Sequence, residues 1–244
     1  VQRTLQRAVE GSEDDLAAQA RQSRELQDDL LRTRMVEFEG IAERLYRVVR
    51  QASKETGKQV RLDVTGGSIE MDRGILERMT PVFEHLLRNC VVHGVESQDV
   101  RAACGKDPVG LISIGVQQAG NDVAVEFRDD GAGLNLARIR ARALQQNLIA
   151  PEQDVGEAEL ADLIFRPGFS TATEVTELAG RGVGMDVVRS EVQALGGRIE
   201  TSSREGQGSS FRLVLPLTTA VTHVVMIRSG GLSVGVPSSL VETV

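Results

Sequence analysis

Hydrophobic positions along the chain alternate between helical and strand periods. Across residues 5–53, rich in Ala, Arg, Glu, Gln and Leu, Leu16, Ala20, Ser23, Leu26 or Gln27, and Leu30 fall at spacings of three and four, which predicts a long amphipathic helix. Gly11-Ser12-Glu13-Asp14-Asp15 has the form of a helix end followed by a capped restart, so the residues before Gly11 are expected to be the tail of an antiparallel partner. The apolar stripe of such a hairpin needs cover, from its own domain or from a second copy, and its length favours a dimerising bundle. After Gly57 the period becomes two: residues 59–64 predict a strand, Gly66-Gly67 a turn, and residues 68–71 a second short strand.

A helix follows around His85, then strands at 111–117 and 123–128 joined at Gly120-Asn121, and a helix at 135–149. Residues 150–184 carry little periodicity and many Gly, Thr and charged residues, the composition of a lid. A helix at 185–195 stops at Gly196-Gly197, and strands at 198–202 and 211–215 flank Gly206-Gln207-Gly208. Hairpins outnumber crossovers, so the expected class is α+β, a mixed or antiparallel sheet with helices on one face. Residues 221–227 and 232–236 either open another β-rich module or extend the same sheet.

Within the His85 helix, His85, Asn89 and His93 recur every fourth residue and share one face, with Arg88 beside them; Met79, Phe83, Leu86, Leu87 and Cys90 form the opposite, apolar side. Such a face is either a set of satisfied core hydrogen-bonders or a ligand front. Two histidines without thiolates or carboxylates in ligand spacing make a poor zinc set, whereas an Asn carbonyl oxygen suits Mg²⁺ shared with nucleotide phosphates.

Composition narrows the partners. Lys plus Arg number 28 against 35 Asp plus Glu, a net charge of -7, which argues against a nucleic-acid backbone as ligand. Two cysteines, Cys90 and Cys104, form no framework and fit a reducing cytoplasm. No apolar run approaches the roughly 20 residues that span a bilayer. The chain starts inside a helical pattern and stops inside a strand-like one, so a piece of a longer protein is expected.

Two glycine clusters remain. Asp129-Asp130-Gly131-Ala132-Gly133 ends the 123–128 strand; it is either an ordinary turn or a carboxylate set to accept the exocyclic amine of adenine, which guanine lacks at that position. Gly180-Arg181-Gly182-Val183-Gly184-Met185-Asp186 runs into a helix, and its exposed N–H groups suit phosphate oxygens or simply mark a flexible entry. Neither cluster has dinucleotide spacing, and Gly57-Lys58 and Gly105-Lys106 complete no P-loop.

Taken in order, His85-x-x-x-Asn89-x-x-x-His93-Gly94, Asp129-x-Gly131-x-Gly133, Phe165-Arg166-Pro167-Gly168-Phe169-Ser170-Thr171, residues 180–186 and Gly206-x-Gly208 resemble the N, G1, F, G2 and G3 boxes of chemotaxis-type (CheA-like) histidine kinases, within the GHKL superfamily. Arg32-Thr33-Arg34-Met35-Val36 and Val91-Val92-His93 resemble the pilus-motility hybrid kinases. The resemblance implies a helical dimerisation segment at 1–48, a Bergerat-type ATP-binding sandwich at 49–215 and the start of a CheW-like regulatory domain at 216–244. It also implies a homodimer that moves the γ-phosphoryl of ATP to a histidine on a separate phosphotransfer domain, and that serves a response regulator, a CheW-like coupling protein and a receptor array.

By position, Asn89 would hold Mg²⁺ and Asp129 would read adenine. His85, Arg88 and His93 would face the phosphates, Gly131, Gly133, Gly182 and Gly184 would shape pocket and lid, and Ser210 would stand near the adenine water. The remaining histidine, His223, sits in an alternating strand and is no candidate acceptor. Two departures stand out: Val92 where the family usually has Asp, and Glu37 where it usually has Pro. Related gyrase-type and chaperone ATPases place a water-activating Glu four residues before the Asn; here that position is His85, so slow hydrolysis is expected. A scaffold with a decayed site is the remaining alternative.

Overall fold

The computed structural model describes residues 33–153, 155–169, 184–217, 224–229 and 232–237, with isolated helical positions at 19 and 22. The expected helical hairpin before residue 33, Ser170-Thr171, the glycine run through Val183 and His223 lie outside the described residues.

The helix expected through residue 53 is broken. Strand β1 (Met35–Glu37) and a 3₁₀ turn (Phe38–Ile41) precede helix α1 (Ala42–Thr56). The break lets Phe38, fully buried, enter the core, and it falls where Val36 and Gly40 are poor helix formers. Along α1, Ala42, Leu45, Val49 and Ala52 are buried at helical spacing, and Gly57 ends it in the left-handed conformation at φ 66°.

Strand β2 (Val60–Thr65) follows, and the short strand expected after Gly66-Gly67 forms slightly later as β3 (Glu70–Asp72). Its partner is β1, antiparallel, with Val36 opposite Met71. Strand β2 instead runs parallel to β4 (Gly110–Ala119), separated from it in sequence by helix α2 (Arg73–Asn89) and the short helix α3 (Gln98–Ala103).

Strands β5 (Asp122–Asp129), β6 (Arg198–Arg204) and β7 (Gly208–Pro216) complete a five-stranded sheet in the order β2-β4-β5-β7-β6, antiparallel except for β2/β4. The α+β expectation holds. Alternation decides which face is covered: Ile112, Ile114, Val116, Val123, Val125, Phe127, Phe211, Leu213 and Leu215 share one core with α1, α2 and helix α6 (Met185–Ala194). Phe83 of α2 joins the layers, its ring centroid 5.9 Å from Phe38 and 5.3 Å from Phe127.

The stretch read as lid begins with order. Helices α4 (Leu136–Gln145) and α5 (Glu157–Asp162), with a 3₁₀ turn at Leu163–Phe165, enclose a satellite core of Ile139, Ala143, Ile149, Val155, Leu160 and Leu163. Six residues of α5 are too few to register as a helical period. Strands β8 (Val224–Ser229) and β9 (Leu232–Pro237) form their own antiparallel pair and are not extra strands of the main sheet. Among the described residues no helix is long and apolar enough to cross a membrane.

Candidate functional site

Helix α2 starts at Asp72, whose carboxylate accepts from Gly74 N at 2.8 Å and Ile75 N at 3.3 Å. Its back, Ile75, Leu76, Met79, Val82, Phe83, Leu86 and Leu87, is buried, which holds His85 and Asn89 at the opposite, half-buried front. The next turn, Cys90–Gly94, is π-helical, closed by Val95 N to Cys90 O at 2.8 Å. His93 therefore follows Asn89 through a wider turn than the fourfold spacing assumed, and it is exposed. Lys58 Nζ donates to Val91 O at 2.9 Å and Val92 O at 2.7 Å, satisfying carbonyls the wide turn leaves over.

Asn89 Nδ2 lies 3.0 Å from His85 Nε2 and 3.3 Å from Met185 Sδ, so the start of α6 meets the end of α2. Burial lowers the His85 pKa, the His93 ring and Arg88 lower it further, and Asp186 partly opposes them. A neutral ring leaves Nε2 able to accept from the Asn89 amide, which turns Asn89 Oδ1 away from this pair. Partial desolvation of its ring, then the Lys58 charge, also lowers the His93 pKa, although the residue as a whole is exposed.

Across from this front, β5 ends in Asp129, 2% exposed. Asp129 Oδ1 accepts from Gly131 N at 2.9 Å and Ser209 N at 3.3 Å, and the Cys90 thiol also hydrogen-bonds the carboxylate. Burial raises the Asp129 pKa against these backbone donors. The same burial, with the Asp129 charge, raises that of Cys90 well above the ordinary thiol value. The close fit requires glycine: a Cβ at Gly131 would come 2.0 Å from Gly94 O, and Gly133 stands at φ 78° with a Cβ position 2.4 Å from Arg204 O. Ala132 N bonds Gly94 O at 2.9 Å, so the end of the α2 segment and the turn after β5 are joined directly.

The structure thus brings His85, Asn89, Gly94, Asp129, Gly131 and Gly133 to one end of the sheet. Arg88 Nη1 donates to Glu55 Oε2 at 2.7 Å, so in this structure its guanidinium is paired with α1. Gly184 is the residue before α6, and Gly182 lies outside the described residues.

Ser210 corrects the sequence reading. Its Oγ donates to Glu126 Oε1 at 2.6 Å on the open face of the sheet, away from Asp129. The residue at the site is Ser209, on the same side of β7 as Phe211, and the period-two alternation of 209–215 carried that signal. Replacing Ser210 with Ala is expected to change stability by less than about 0.5 kcal/mol and to leave ATP affinity unchanged, as thermal melts and a titration would show. Sequence reasoning also passed over Cys90, Lys58 and Met185, whose roles depend on contacts across the fold.

Among the described residues no cluster of three or more His, Cys, Asp or Glu could hold a metal ion. Asn89 Oδ1, which has no hydrogen-bond partner among the described residues, can supply one oxygen ligand; such a site suits a cation whose other ligands come from water and phosphate, the coordination habit of Mg²⁺.

The family described as "Histidine kinase-, DNA gyrase B-, and HSP90-like ATPase" matches residues 74–219. "Chemotaxis protein CheA" of Rhizobium meliloti is 39% identical over 222 residues, 91% of this chain and 29% of that protein. Its namesake in Cereibacter sphaeroides is 41% identical over 91% of this chain and 32% of its own length, and that of Salmonella typhimurium 40% identical over 86% and 31%. The chain spans about a third of the length of these relatives.

Proposed function

Because the chain belongs to the histidine kinase-, DNA gyrase B- and HSP90-like ATPase family, as its five boxes led us to expect, we propose that it is the ATP-binding core of a chemosensory protein-histidine kinase. It binds Mg·ATP between the Asn89 front and Asp129, and passes the γ-phosphoryl to a histidine on a separate phosphotransfer domain. The observation that carries this reading is the buried, glycine-bordered Asp129 carboxylate set against the helix end that bears His85 and Asn89.

Asp129 accepts the exocyclic amine of adenine and so selects ATP over GTP. Asn89 gives an oxygen to Mg²⁺, which when bound would offset charge on the phosphates. His85, kept neutral by burial, holds the Asn89 amide in that orientation. His93, exposed beyond the π turn, is free to approach the phosphates, while Gly184 stands at the entry to α6. Catalysis of this kind is mainly positioning and charge neutralisation, so no covalent enzyme intermediate is needed.

A hydrolase is less well supported. Glu84, next to His85 in the chain, is ion-paired with Arg44 of α1, Nη2 to Oε2 at 3.0 Å, and so is engaged away from the His85 face. We place the start of the ATP-binding domain near residue 35, since β1 and α1 share its core. The residues before it are then the dimerisation segment of a homodimer, and β8–β9 the opening of a CheW-like domain. A response regulator, coupling protein and receptor array are the partners, in the cytoplasm.

The test is to incubate the chain with γ-labelled Mg·ATP and a candidate phosphotransfer domain. Acid-labile phosphohistidine on that domain is expected. ATP binding without transfer would favour a scaffold, and rapid phosphate release a hydrolase.

A further inference from the structure

Behind the turn that carries Asp129, a cage of two cations and two anions has no part in the function proposed above. Arg101, 1% exposed, donates through Nη1 and Nη2 to both Asp130 carboxylate oxygens at 3.0 and 2.7 Å, through Nη1 to Glu96 at 3.0 Å, and through Nε to Asp107 O at 2.6 Å. Lys106 Nζ donates to Glu96 Oε1 at 2.7 Å and to the backbone carbonyls of Asp130 and Gly131, each at 2.8 Å. Asp130 Oδ1 also accepts from Leu111 N at 3.0 Å.

The charges balance, and the donors of Lys106 are directed at the carbonyls of the Asp130–Gly131 and Gly131–Ala132 peptides. Those units fix where Gly131 N points, and Gly131 N is the shorter of the two backbone bonds to Asp129 Oδ1. The segment 95–109, which includes α3, spends a buried guanidinium and a half-buried ammonium on this turn, a costly arrangement unless every member is satisfied.

We propose that Lys106, braced by Arg101 and Glu96, is a positioning residue for base recognition: it holds the Asp130–Gly131 peptides so that the Asp129 carboxylate meets the exocyclic amine of adenine. The cage acts through the turn and touches no nucleotide. This rests on the reading of Asp129 as the adenine acceptor.

The test is a double-mutant cycle on the 244-residue chain, titrated with Mg·ATP and with Mg·purine riboside triphosphate, which lacks the amine. Lys106→Met is expected to weaken ATP about tenfold while changing the affinity for the amine-free analogue little. It should lose its effect in an Asp129→Asn background. Lys106→Arg should restore most of the loss, and Lys106→Gln, which keeps one donor and is the milder variant should Met not fold, should fall between.

Equal weakening of both nucleotides, or full additivity with Asp129→Asn, would make the cage a purely structural brace and overturn the proposal. If Asp129→Asn weakens ATP and Lys106→Met does not, this inference alone fails. If Asp129→Asn leaves ATP binding intact, the adenine reading fails and takes this one with it.

Discussion

Replacing Asn89 with Ala is expected to lower Mg·ATP-dependent phosphoryl transfer on the order of 100-fold or more, while the affinity for ATP measured without Mg²⁺ falls much less. On the proposed reading Asn89 Oδ1 would serve the metal, whereas its Nδ2 is used within the protein, on His85 and Met185. Asn89→Asp restores an oxygen but offers His85 no amide, so partial activity is expected. Wild-type turnover also has a predictable acid limb. Burial lowers the His85 pKa, so the ring stays neutral in the fold until below the ordinary histidine value, and only there does protonation remove the acceptor that orients Asn89. A His whose folded pKa is lowered also makes the fold less stable as pH falls below its unfolded value. Transfer rates from pH 5 to 8, with parallel melts, separate loss of orientation from loss of fold.

The second large effect concerns Asp129. Asp129→Asn is expected to weaken ATP on the order of 100-fold, because the group facing the adenine amine becomes partly a donor while the shape is kept. The apo protein should respond in the opposite sense. Burial raises the Asp129 pKa, so the folded chain keeps its proton to higher pH than the unfolded chain. The stability contributed by the neutral acid is therefore present at low pH and is lost as pH rises through the raised folded value. Asn cannot ionise, so above that window the variant should melt at or above the wild-type temperature while binding ATP poorly. A variant that loses stability and affinity together would point to a broken turn, and the cost of recognition would not then lie in the carboxylate.

How much of this was legible in the sequence depended on the range of the contacts involved. The sheet was readable because Val123, Val125 and Phe127, and again Phe211, Leu213 and Leu215, alternate strictly beneath one covered face. Asn89 and Asp129 were identifiable because helix spacing and a strand-end glycine turn are local signals. Their meeting rests on Gly94 and Gly131, where one backbone passes too close to the other for any Cβ, and no local pattern reports that approach. The β1–β3 pairing was missed for a related reason: three residues, Met35–Glu37, carry too little periodicity to be distinguished from a continuing helix, and their partner lies 33 or more positions away. Ser210 was misplaced by one residue through reliance on box position, although strand alternation already assigned the site side to Ser209. Arg88 has the right spacing, but its pairing with Glu55 depends on how α1 packs against α2.

The most direct measurement is a crystal structure of the chain soaked with Mg²⁺ and a non-hydrolysable ATP analogue. The adenine amine is expected on the Asp129 carboxylate, with the metal ligated by Asn89 Oδ1 and by phosphate oxygens. Nucleotide bound elsewhere, or an adenine that leaves Asp129 to its backbone donors and Asn89 without metal, would contradict the kinase site.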